Sequence, residues 1–74
     1  MSHDIKRNQK RVWIDHWTKK PITDTTYKVL WVGEELVIIK SSFNDEETCE
    51  RIDVFKDETI AVSKLKKEYR NKIK

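Results

Sequence analysis

The side chains in this sequence that are able to do chemistry are few: His3, His16, Cys49 and the carboxylates of Asp45-Glu46-Glu47. A structural zinc site draws on paired Cys or His donors at short spacing. No such pair occurs, so no metal site is expected, beyond the weak copper or nickel binding that His3 and the amino terminus can offer. An activated thiol sits beside cations or at a helix start. Cys49 sits instead among Glu46, Glu47, Glu50 and Asp53, and an inert strand cysteine is expected. Asp15-His16 has the composition of an orienter and a base, but adjacent residues point apart in both helix and strand. The chain holds a single Gly, which excludes a Gly-rich phosphate loop and a Gly-x-Ser-x-Gly nucleophile turn. A solvated acidic loop accounts for Asp45-Glu46-Glu47. The sequence therefore predicts a protein that is not an enzyme and uses no cofactor.

The elements that hold these residues must fit one small domain, since the chain has 74 residues. With one cysteine no internal disulfide can form, which suits a reducing compartment. No stretch approaches the ~20 apolar residues of a membrane span, and Met1–Lys10 has no apolar segment of a secretory signal. A cytoplasmic location is the resulting expectation. Charge is distributed unevenly: +4 over residues 1–20, −6 over 21–63 and +5 over 64–74. An acidic middle thus lies between two basic ends.

Residues 1–11 carry one apolar side chain after the initiator, Ile5, and are read as a basic flexible arm. A single small β-rich domain is expected over 12–74. Trp13 and Trp17 would stack on one face of a helix, or share a face of a strand; the segment is too short to decide. Tyr27–Val32 is β-branched and aromatic, a strand with Tyr27, Val29 and Trp31 on one face. Gly33-Glu34-Glu35 reads as a hairpin turn before a second strand, Leu36–Ser41. Thr48–Phe55 is expected as a third strand with Ile52 and Val54 facing one way, and Thr59–Val62 as a fourth with Ile60 and Val62 inward. Ser63 can cap a final basic helix, on which Leu65, Tyr69 and Ile73 form an apolar stripe. The expected core is Val29, Trp31, Ile38, Ile52, Val54, Ile60, Val62, Leu65 and Tyr69.

Tyr27–Val32, Gly33, Leu36–Ile39, Ile52–Phe55 and Ile60–Leu65, about half the chain, resemble the small SH3-like β-barrels. Such barrels occur among short phage and bacterial proteins and bind proteins or nucleic acids. The resemblance implies an α+β, β-dominated fold: a four-stranded antiparallel meander curled into a small open barrel, with a C-terminal helix and the basic arm. It implies no particular functional residue.

The remaining potential is for binding. Single-strand readers stack bases on aromatics within a basic groove. Arg7, Lys10, Arg11, Lys19 and Lys20 surround Trp13 and Trp17, and Lys66, Lys67 and Arg70 stand on the final helix. These ten are the expected nucleic-acid-binding residues of a non-catalytic module of phage accessory or host-modulating type. Two alternatives use other features. A protein-binding inhibitor or adaptor would meet a basic partner through Asn44–Glu50. A structural subunit would oligomerise through Leu36–Ile39, although the sequence does not give the oligomeric state.

Overall fold

The computed structural model describes residues 5–73, so His3 and the amino terminus, with the weak copper or nickel binding expected of them, lie outside the described residues. The elements are β1 (Lys10–Trp13), β2 (Tyr27–Val32), β3 (Leu36–Ser41), β4 (Glu47–Arg51), α1 (Ile52–Glu58), β5 (Thr59–Ala61), a 3-10 turn (Val62–Lys64) and α2 (Lys67–Arg70). All strand pairs are antiparallel, in the order β4-β3-β2-β1-β5. The domain is therefore β-rich α+β, as expected. Among the described residues it has five strands rather than four, and the sheet is not closed into a barrel. No helix among the described residues is long and apolar enough to cross a membrane.

The additional strand is β1. It begins at Lys10, because Arg11 and Val12 are both buried and pair with Tyr27 on one side and with Ala61 and Ile60 on the other. Before it, Ile5 joins the core and the Val29 amide donates to the Gln9 carbonyl at 2.8 Å. Trp13 ends the strand and Trp17 stands in the following turn, so neither a helical stack nor a shared strand face forms.

β2 and β3 form the expected hairpin, with one irregularity. The register shifts between Val29, opposite Ile39, and Trp31, opposite Ile38. Such a bulge inserts one residue and turns the following side chain to the other face. Val29 thus lies in the core while Trp31 is turned outward and is 52% exposed. Gly33 has no positive φ; its role is spatial. A methyl group there would sit 2.5 Å from Cη2 of Trp31, so the missing side chain is what lets the indole lie over the turn.

The expected third strand stops at Arg51, and Ile52–Glu58 is a helix. Ile52 and Phe55, three apart, are buried, while Val54 is among the exposed apolar residues; a three-residue interval is helical. Asp53 in the first turn and Lys56 in the last suit the helix dipole. Ile52 and Phe55 pack with Ile5, Val29, Val37 and Ile39 into the main core, and Trp13, Tyr27 and Val32 border it. In β5 the buried residues are Thr59 and Ala61 rather than Ile60. The C-terminal helix is shorter than expected: Leu65 and Lys66 are extended and separate the 3-10 turn from α2. Leu65 is buried, whereas Tyr69 and Ile73 are only half-buried.

Candidate binding surfaces

The alternation of the strands sorts the functional side chains onto two faces. On the core face the register lines up Arg11 with Tyr27 and Ala61, Tyr27 with Ser41, and Ile39 with Thr48. On the outer face it lines up Lys10, Lys28, Lys40 and Glu47 across four neighbouring strands. Next to that row on the outer face are Trp31, Ile38 and Cys49.

Arg11 belongs to the core. Its Nε donates to Thr59 Oγ1 at 2.6 Å, Nη2 to the Thr59 carbonyl at 2.9 Å and Nη1 to Gln9 Oε1 at 3.2 Å. The Thr59 hydroxyl donates to the Phe55 carbonyl, and the guanidinium lies 5.6 Å from the centre of the Phe55 ring. Being only 5% exposed, this cation is committed to joining β1, β5 and α1. Trp13 is likewise spent on packing, edge-on to Tyr27 at 6.2 Å and to Phe55 at 5.6 Å.

Trp17, Lys19 and Lys20 occupy the tip of the loop between β1 and β2. The Asp15 carboxylate accepts from the Trp17 amide at 2.8 Å and the Thr18 amide at 3.0 Å. The Lys19 amide donates to the Asp15 carbonyl at 2.9 Å. The Thr18 and Trp17 amides stabilise the ionised carboxylate and hold the Asp15 pKa below the ordinary aspartate range. This turn presents Trp17 at 88% exposure, with His16 edge-on at 5.6 Å. Lys66, Lys67 and Arg70 are exposed on the C-terminal segment. The ten expected residues are thus divided among the core, a loop tip, the C-terminal segment, the outer face, where Lys10 stands, and the exposed Arg7-Asn8 turn, whose Asn8 amide donates to the Val29 carbonyl at 2.7 Å.

Sequence reasoning missed Lys28, Lys40 and Trp31. Opposed residues on one face have Cβ atoms about 4.5–5.5 Å apart, and like charges so placed repel. Among the described residues the ion pair is Arg51 with Asp53 at 3.0 Å, so none of Lys10, Lys28 and Lys40 forms an ion pair there, and the one carboxylate in their row is Glu47, opposite Lys40. The signal for this row was the hairpin: pairing outward from Gly33-Glu35 brings Lys28 opposite Lys40, but only once the bulge residue is discounted.

The core face carries a second feature. It opens as a groove of about 300 Å³ lined by Trp13, Tyr27, Ile39, Phe43, Glu46 and Glu50, among others. Phe43 is 82% exposed. No Lys or Arg lines this groove, so it favours cations. Cys49 is a free, exposed thiol, and no three His, Cys, Asp or Glu side chains cluster as metal donors among the described residues. Compared with known proteins, the chain matches no family model, no curated protein and no solved structure.

Proposed function

We propose that this protein is a non-catalytic binding module that takes single-stranded nucleic acid on the outer face of its sheet. The observation that carries this reading is the row Lys10, Lys28 and Lys40. Lys10 and Lys28 oppose one another, as do Lys28 and Lys40, with Glu47 facing only the last of them; like charges so placed cost stability, and a phosphate backbone lying across them removes that cost. Trp31, half-exposed beside the row, offers a ring for base stacking, which contributes about 1–3 kcal/mol per base. The strand order, with β5 beside β1, supports regarding the sheet as an open SH3-like arrangement.

An NMR titration with a short single-stranded oligonucleotide tests the reading. Shifts concentrated at Lys10, Lys28, Trp31 and Lys40 are expected. Shifts confined to Tyr27, Phe43 and Glu46 would move the site to the core-face groove.

The groove itself favours one second reading: an adaptor or inhibitor that captures a basic segment of another protein. A Lys or Arg side chain set against aromatic faces gains about 0.5–1 kcal/mol at exposed sites and about 2 when desolvated. Glu46 and Glu50 supply the complementary charge. An arginine-rich peptide that shifts Phe43 and loses affinity on Glu46→Gln with Glu50→Gln would support it.

A further inference from the structure

The sheet ends in two edges, and they differ. β5 is three residues long and runs directly into the 3-10 turn; a strand so short is poorly suited to further pairing. β4 has five residues, Glu47–Arg51, with no Pro, Lys or bulge; what guards it is charge of both signs, Glu47, Glu50 and Arg51, which repels a partner strand only in registers that set like charges together.

The ladder on its inner side fixes what this edge offers. The Ser41 amide donates to the Glu46 carbonyl at 3.0 Å, and the Ile52 amide to the Glu35 carbonyl at 2.9 Å. Antiparallel bonding alternates residue by residue. Thr48 and Glu50 therefore share the parity of Glu46 and Ile52 and bond inward to β3. Glu47, Cys49 and Arg51 turn their N–H and C=O groups away from the sheet. Their side chains share the outer face.

We infer that two copies of this chain join edge to edge through β4, antiparallel and related by a two-fold axis at Cys49. In that register Cys49 meets the second copy's Cys49. Glu47 faces the second copy's Arg51 on both sides of the axis, so opposite charges pair twice. No like charges meet. Moving the axis to Thr48 would set Glu46 against Glu50, and moving it to Glu50 would set that carboxylate against itself; both are disfavoured. Charge thus selects one register from the three that a short edge allows. A two-fold contact of this kind closes after two copies. It also makes the outer faces continuous, since the row Trp31–Ile38–Cys49 carries on into Cys49–Ile38–Trp31 of the second copy. The inference is independent of what the outer face binds.

Sedimentation equilibrium of the full chain, repeated with charge-reversed variants, tests it. The unmodified chain is expected at twice the monomer mass, and Glu47→Arg and Arg51→Glu should each shift it toward monomer. The double variant, Glu47→Arg with Arg51→Glu, should restore the dimer, with circular dichroism confirming the fold of each. Separately, oxidised glutathione should link the two exposed Cys49 thiols in one disulfide, releasing two reduced glutathione molecules, faster in the unmodified chain than in either single variant. A chain that stays monomeric throughout overturns the inference. So does a dimer unaffected by either single reversal, or a folded double variant that remains monomeric.

Discussion

Arg11 and Lys10 are neighbours with opposite fates, and neither fate follows from residue type. In composition both add to the basic N-terminal charge. In the fold Arg11 faces the core and bonds Thr59 twice, while Lys10 faces out. Removing the Arg11 guanidinium while keeping its stem, as in Arg11→Met, is expected to cost about 1.5–3 kcal/mol, the range for hydrogen bonds to charged groups. Lys10→Met should stay within about 0.5 kcal/mol. Urea denaturation of both variants provides the comparison; equal midpoints would place Arg11 outside the core. Asp15 makes a different prediction. Its acidity is strengthened in the fold by the Thr18 and Trp17 amides, so its contribution is present above the unfolded value and lost as pH falls through the lower folded value. The turn at 15–20 should therefore loosen below about pH 4. Asp15→Asn should remove that dependence, as read by the Thr18 amide resonance during an acid titration. The role of Arg11 was not legible in the sequence because its partner, Thr59, is distant along the chain.

At the scale of elements, β2 and β3 are legible because their side chains are β-branched, aromatic and set on either side of one turn. Two failures have physical causes. Ile52-Asp53-Val54-Phe55 satisfies a two-residue and a three-residue period at once, and a window this short cannot separate them. Contact with the sheet decides, burying Ile52 and Phe55. The consequence is measurable: Ile52→Ala should cost about 2–5 kcal/mol, while Val54→Ala should cost under about 1 kcal/mol. Comparable losses at 52 and 54 would restore the strand. The second failure is the bulge, which reversed Trp31 and concealed the Lys28–Lys40 pairing. Here Gly33→Ala gives the check. Its methyl group collides with the outer end of a half-exposed indole, which can swing away. Melting should change little, with a free-energy change of no more than about 1 kcal/mol, while the Trp31 indole N–H resonance should move clearly. An unmoved resonance would contradict the packing of Trp31 over the turn.

The whole molecule separates its charges by face rather than by chain segment. The basic-acidic-basic layout is visible in the sequence, but the surfaces it produces are not. Lys10 comes from the basic end and Lys28 and Lys40 from the acidic middle, yet the sheet aligns them in one row. Glu46 and Glu50 of the same middle stand around the groove on the other face. Salt dependence of binding is the most direct test of the proposed anionic ligand. For a single strand, each phosphate contact contributes about −0.7 to the slope of log affinity against log salt. Fluorescence anisotropy of a labelled single-stranded oligonucleotide across a salt series should give a steep slope for the unmodified chain, flattened by about 1.4 units in Lys28→Ala with Lys40→Ala if each ammonium meets one phosphate. Exchanging the exposed Lys66 and Lys67 for Ala instead should leave most of the slope in place. A slope unchanged by removing Lys28 and Lys40, or no binding at low salt, would contradict the outer-face site.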